Sequence, residues 1–325
     1  MANNLRFLIS DGVVFQPYDE TPPVSWFLES RTGAYTTTRT HNEGKTLLLW
    51  ERHLRRLNDS SQILFGSSNL EAVIDLVNDS LSLILPLAIR EWRAVENEEL
   101  AVVVMITSGT ECGVHIHVST HMPHVFGHSG GAQLAMVGRG RDLPEAKHSH
   151  WVRRRKPLEK FRPPSATELL LSDDGDRILE GSITNFFVVC RKKTSLCSQG
   201  YRDDLSVEVY TTPISDGVLP GVIRQLVIEV CLNEGIPVKE VSPSWSDRES
   251  WHEAFITNSL KIIQHVEKIQ VPVSWESLLD PNVKDVSWEE LKFEKAPGPV
   301  TAMIQEKVMA KAIIEGIPLE TFIGC

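Results

Sequence analysis

Three groups of side chains in this sequence have the types and spacing for chemistry. The first is a set of lysines, Lys147, Lys156 and Lys160, in a basic stretch with Arg153, Arg154, Arg155 and Arg162 and only Glu159 opposing them. A lysine attacks a carbonyl or carries a proton only when neutral, and burial or neighbouring cations favour that form. The second group is Arg52, Arg55 and Arg56. Guanidinium forks suit a phosphate, although on their own these three read as a solvated helix face. The third is His115-Ile116-His117, followed by His121, His124 and His128. On a strand, a His-x-His pair puts two imidazoles on one face, as zinc and iron sites use them. No carboxylate lies between Gly113 and Gly140, and ligands from one strand and its loop rarely close a site, so these read as surface and edge-strand histidines. No metal is expected.

Helices and strands must position these groups. Over 46–65 the apolar Leu47, Trp50, Leu54, Leu57 and Leu64 recur near helical spacing with the arginines between them, which predicts an amphipathic helix with a basic stripe. A second helix is expected from about residue 69 and a third up to Trp92. Strands are expected at 101–107, 114–118 and 133–137, and later at 167–171, 185–190, 207–210, 237–241, 254–257 and 262–269. Residues 221–233 have a buried-face helix pattern that ends at Asn233-Glu234-Gly235. A solvent loop is expected over 191–204, and a final amphipathic helix within 298–316. Five glycines between 127 and 140 predict a linker at 126–141. It would separate a small N-terminal α/β domain, 1–125, from a larger C-terminal domain, 142–325. The fold class is therefore α+β or α/β with two domains.

The chain has 325 residues and a net charge of −10, which disfavours a general nucleic-acid or membrane-surface role. Its five cysteines, at 112, 190, 197, 231 and 325, have neither an even count nor short paired spacing, so a reducing compartment is expected. The start of the sequence does not read as a signal or transit peptide. The longest apolar run, 81–89, is broken by Ser82 and Pro86 and is too short to span a bilayer. A cytoplasmic protein without a membrane or nucleic-acid partner is expected.

Motifs in a fixed order connect these groups. Gly33-Ala34-Tyr35-Thr36-Thr37-Thr38-Arg39, then Glu43-Gly44-Lys45, leads into His53-Leu54-Arg55-Arg56-Leu57. Glu168-Leu169-Leu170-Leu171 begins 21 residues after Lys147. Leu179-Glu180-Gly181-Ser182-Ile183-Thr184-Asn185-Phe186-Phe187 comes next, then Thr212-Pro213, Leu219-Pro220-Gly221-Val222-Ile223-Arg224 and Phe255-Ile256-Thr257-Asn258-Ser259. From Gly33 to Ile269 the chain resembles the class IV (fold type IV) pyridoxal-phosphate enzymes, a group that holds branched-chain aminotransferases, D-amino-acid aminotransferases and aminodeoxychorismate lyase.

The resemblance implies a two-domain fold with pyridoxal 5′-phosphate between the domains, and a homodimer with active sites near its interface. It makes Lys147 the Schiff-base lysine, with Lys156 and Lys160 at the wrong spacing, and Glu180 the partner of the pyridine nitrogen. Arg56, the backbone of Val222 and Ile223 at a helix N-terminus, and Ser259, with Thr257 as second choice, would hold the phosphate. The implied substrates are an amino acid and a 2-oxo acid. The sequence departs from the family pattern in three places. Ile223 stands where the family usually has Thr, Trp151 and Val152 stand where branched-chain enzymes carry a Tyr, and residues 109–113 contain no substrate-binding Arg. Tyr35 and Arg39 are the remaining substrate candidates. Their stretch, 35–39, also motivates a lyase alternative, and Ile223 a catalytically silent one.

Overall fold

In the computed structural model, residues 5–15, 21–66, 70–92, 97–108, 112–128, 130–191, 207–278 and 286–323 are described. They group into two units: Met1–His124 with Glu145–Arg155 and Met309–Cys325, and Val125–Pro144 with Lys156–Val308. The strands, in chain order, are β1 (Arg6–Ser10), β2 (Val13–Phe15), β3 (Ala34–His41), β4 (Thr46–Leu47), β5 (Glu99–Thr107), β6 (Gly113–His121), β7 (Ala132–Gly138), β8 (Glu168–Leu171), β9 (Asn185–Arg191), β10 (Val207–Thr211), β11 (Val238–Glu240), β12 (Trp251–Asn258), β13 (Ile262–Pro272), β14 (Trp288–Lys292) and β15 (Ile317–Pro318). The α-helices are α1 (Val24–Ser30), α2 (Trp50–Phe65), α3 (Leu70–Glu91), α4 (His150–Arg154), α5 (Val222–Asn233), α6 (Pro299–Ile314) and α7 (Glu320–Ile323).

The first unit is built on a seven-stranded antiparallel sheet in the order β15-β4-β3-β5-β6-β1-β2. Its central strand β5, Glu-Leu-Ala-Val-Val-Val-Met-Ile-Thr, is apolar almost throughout because both faces of the sheet are covered. Val102, Val104 and Ile106 join Leu54 and Leu57 of α2 and Val77, Leu81 and Leu85 of α3. On the opposite face Val103 and Met105 meet Leu8, Tyr35, Phe27 and Leu28 of α1, and Val152 of α4.

The second unit carries a sheet in the order β11-β10-β9-β12-β13-β7-β8, with β14 added to β13. The β10/β11, β13/β7 and β7/β8 pairs are parallel. Phe186 and Val188 of β9, Ala254 and Ile256 of β12 and Val266 of β13 share one core with Trp245 and Trp251. Helix α5 lies against β12, with Leu226, Val227 and Val230 buried. The Glu253 carboxylate accepts from the Val300 and Thr301 N–H groups (3.1 and 2.7 Å), so it caps the start of α6.

Several elements differ from the sequence expectation. Helix α2 begins at Trp50 because Thr46–Leu47 pairs with β3 and Leu49, at φ 53°, breaks the run. The two helices expected between 69 and 92 are one. The stripe Val73, Val77, Leu81, Ile84, Leu85 and Ala88 continues unbroken, and the carbonyl that Pro86 leaves without its helical donor belongs to exposed Ser82. This helix is long and apolar enough to cross a membrane, but its stripe packs in the core of the first unit. Residues 126–141 do not form a linker. Ala132–Gly138 is an inner strand whose Leu134 and Met136 face one core and whose Ala135 and Val137 face another, and the chain returns to the first unit at Glu145. The expected 191–204 loop falls, apart from Arg191, outside the described residues, as do 109–111.

Gly33 sits at a close approach that the site depends on. A Cβ there would stand 2.2 Å from the Ile106 carbonyl oxygen, and the Gly33 backbone pairs with Ser149, two residues from Lys147. Gly33→Ala is expected to lower stability by about 1–3 kcal/mol, measured by urea unfolding.

Candidate active site

In the first unit, residues 147–149 run alongside the start of β3. The Tyr35 N–H donates to the Lys147 carbonyl (2.9 Å) and the Ser149 N–H to the Gly33 carbonyl (3.0 Å). The Ser149 hydroxyl accepts from the Gly33 N–H (3.1 Å) and donates to the Arg31 carbonyl (2.7 Å). From the other side the Lys147 N–H donates to Ser60 Oγ on α2 (3.0 Å). With its backbone fixed in this way, half-buried Lys147 carries Nζ over the ring of Tyr35, 4.5 Å from the centroid.

Helix α2 brings His53, Arg56 and Ser60 to one face, since three- and four-residue steps return to the same side of a helix. Of its three arginines only Arg56 turns inward, at 8% exposure, where Nη2 donates to Thr36 Oγ1 (2.9 Å). Arg52 forks onto Glu315 (2.5 and 2.9 Å), and exposed Arg55 reaches Glu51 (3.4 Å). The solvated-face reading therefore fits Arg55 and fails for Arg56. His53 Nδ1 lies 2.8 Å from Thr36 Oγ1. Burial, and then the cations Arg56 and Lys147, hold this imidazole well below its ordinary value of 6.5, so it is neutral.

In the second unit, Glu180 is 1% exposed and lies in the turn between β8 and β9. Its Oε1 accepts from Arg141 Nε (2.5 Å), and its Oε2 accepts from the Leu219 N–H (3.1 Å) and Asn185 Nδ2 (3.3 Å). Asn185 Nδ2 also donates to the Leu219 carbonyl (2.9 Å), tying the carboxylate to the residues that open α5. The first N–H groups of α5, at Val222 and Ile223, have no intrahelical acceptors, and among the described residues no side chain caps them. A Cβ on the preceding Gly221 would stand 2.0 Å from Asn185 Oδ1, so this approach excludes any larger residue. Arg224 anchors the same end through the Thr212 carbonyl (2.8 Å) and Glu240 (2.6 Å). Thr257 pairs with Asn185 in the β9/β12 register, and its buried hydroxyl has no hydrogen-bond partner among the described residues. Half-buried Ser259 follows in a turn where Asn258 Oδ1 accepts from the Leu260 and Lys261 N–H groups (3.1 and 2.9 Å).

Within the first unit, then, Lys147, Tyr35 and Arg56 come together. Within the second, Glu180, Val222 and Ile223 do so, with Thr257 beside them. Arg39 is placed elsewhere. It lies four residues beyond Tyr35, about 13 Å along β3, where Nη1 donates to the Thr40 carbonyl near Glu99. Lys156 and Lys160 are exposed. His115 lies between the Ser10 and Thr107 hydroxyls (2.5 and 3.0 Å), and His117 meets the Pro22 carbonyl (2.9 Å). Among the described residues no group of three or more His, Cys, Asp or Glu side chains could hold a metal. Sequence reasoning missed Arg141, Ser60 and Thr36. Ser60 did leave a signal, a polar residue seven positions after His53 on the buried face of an amphipathic helix.

A family model described as amino-transferase class IV matches residues 33–269. A search of curated proteins finds no match. The chain is similar to a putative branched-chain amino acid aminotransferase from Thermotoga maritima (18% identity, 94% of this chain and 96% of that one, TM-score 0.61). It is also similar to the branched-chain amino acid aminotransferase of Escherichia coli (16%, 96% and 95%, 0.61) and to the PLP-bound form of a hypothetical aminotransferase from Mycobacterium tuberculosis (15%, 95% and 99%, 0.64). At these identities the likeness establishes the fold.

Two measurements check the electrostatics of the site. Arg141→Met should cost about 3–5 kcal/mol in urea unfolding by stranding a buried carboxylate, and adding Glu180→Gln should recover most of that loss. Below about pH 6.5 the unfolded chain protonates His53 while the folded chain does not, so folding stability falls as the pH drops from there. His53→Asn should reduce the loss of stability between about pH 7 and pH 5.

Proposed function

The chain belongs to the class IV aminotransferase family, and from that premise we propose that Lys147, Arg56, Glu180, Val222, Ile223 and Ser259 are the residues that serve pyridoxal 5′-phosphate. The protein is a pyridoxal-phosphate-dependent aminotransferase that moves an amino group between an amino acid and a 2-oxo acid. The observation that carries the residue assignment is the seating of Glu180. Its carboxylate is buried, accepts three donors and is held in register with the uncapped start of α5.

The residues present fit the group. Arg56 is a buried cation that acts on the same imidazole as Lys147, and among the described residues no side chain caps the start of α5 and the buried Thr257 hydroxyl has no partner. When bound, the cofactor supplies an electron sink for the bonding pair left at the substrate Cα. Glu180 would keep the ring nitrogen protonated through a charge-assisted hydrogen bond. Arg56 and the N–H groups of Val222 and Ile223 would anchor the phosphate. Ile223 is buried and contributes backbone only, so the hydroxyl contact passes to Ser259 or Thr257. Lys147, with its backbone fixed by Ser60 and Tyr35, would take the proton from the substrate Cα and deliver it to the cofactor's C4′.

The lyase alternative is not favoured. The matching family model is that of the class IV aminotransferases, and the similar solved structures are aminotransferases. The reading also includes a homodimer, as the family resemblance implies, and a cytoplasmic location. The free state of Cys112, Cys190 and Cys231 supports the latter.

Borohydride reduction of the holoenzyme followed by peptide mapping tests the assignment. The label is expected on Lys147, and a label on Lys156 or Lys160 would refute it. Lys147→Ala should lower kcat at least about a hundredfold.

A further inference from the structure

The Thr36 hydroxyl is the centre of a buried hydrogen-bond chain that links Arg56 to His53. It accepts from Arg56 Nη2 at 2.9 Å, and a guanidinium has no acceptor to offer in return. The single hydroxyl proton must therefore point elsewhere, and His53 Nδ1 stands 2.8 Å away. That nitrogen also lies 3.5 Å from Arg56 Nη2, so a proton on it would face the guanidinium. Burial and the charges of Arg56 and Lys147 hold the imidazole neutral, and the tautomer that suits both contacts has Nδ1 as the acceptor and the proton on Nε2. The three residues come from a strand and from one face of a helix, and all of them are buried.

We propose that His53 is a positioning residue for Arg56: by accepting the Thr36 proton it turns the hydroxyl oxygen toward Arg56 and fixes the guanidinium in its phosphate-binding orientation. The inference rests on the reading that Arg56 holds the cofactor phosphate. It adds that the affinity gained from that contact is set by a neutral imidazole that never touches the phosphate. Loss of this acceptor would remove one of the contacts that set the guanidinium's orientation, and restoring that orientation on binding would draw on the binding energy.

The test compares the affinity of the apoprotein for pyridoxal 5′-phosphate with its affinity for pyridoxal, both read by fluorescence quenching. The ratio isolates the phosphate contact and does not depend on turnover. Arg56→Gln should lower the ratio about tenfold or more. His53→Leu should lower it about three- to tenfold, whereas His53→Asn, whose Oδ1 takes the place of Nδ1, should stay close to wild type. Thr36→Val should behave like His53→Leu, and Thr36→Ser like wild type, which keeps the test available if the leucine variant fails to fold. In an Arg56→Gln background His53→Leu should cause no further loss. Equal losses for His53→Leu and His53→Asn, or additive losses with Arg56→Gln, would overturn the relay while leaving the phosphate reading intact. An unchanged ratio in Arg56→Gln alone would show that the phosphate reading itself has failed.

Discussion

A carboxylate cannot be buried alone, and the second unit is arranged around the solution to that constraint. Glu180 is 1% exposed, and burying a charged carboxylate is costly unless it is paired and hydrogen-bonded. Arg141, itself 3% exposed at the side chain, supplies the compensating charge, and the Leu219 N–H and Asn185 amide supply the remaining donors. The residues that satisfy Glu180 are also those that shape the start of α5. Asn185 holds Leu219, fills the space where a side chain on Gly221 would point, and stands opposite Thr257 in the sheet. One buried charge thereby ties a turn, two strands and a helix N-terminus together.

The first unit deals with the opposite sign. Arg56 and Lys147 both act on His53, and together with burial they keep the imidazole uncharged. Lys147 is held by its backbone, through Ser60 on α2 and Tyr35 on β3, with its Nζ over an aromatic face. The backbone of Lys147 is thereby fixed, which suits the proton-carrying role proposed for its amine. The close approach at Gly33 serves the same end by letting the 147–149 segment lie against β3.

The sequence showed what residue type and order can show. Glu180 and Asn185 sit in one nine-residue motif, Arg56 in a helical repeat, and Val222 and Ile223 at a glycine-led helix start. These are local patterns. Arg141 was not legible because its partner is 39 residues away and nothing periodic marks it. For Arg39 the strand pattern gives the face it shares with Tyr35, while only tertiary structure shows that Glu99 lies at its end of β3. The glycines around Ala132–Gly138 suggested a linker, yet they flank a strand whose two faces are both covered. The two helices expected between 69 and 92 merged because a continuous buried stripe outweighs one proline whose orphaned carbonyl can reach water.

The central claim is that this chain performs the first half of a transamination with Lys147 and Glu180 as its working groups. It is tested most directly by mixing the holoenzyme with a panel of amino acids, with no 2-oxo acid present, and following the visible absorption in a single turnover. At least one amino acid should bleach the visible band in stoichiometric amount, release its 2-oxo acid, and be reversed by adding a 2-oxo acid. Glu180→Gln should slow the bleaching and Lys147→Ala abolish it. A band that persists with every amino acid, or bleaching that Lys147→Ala leaves intact, would contradict the account.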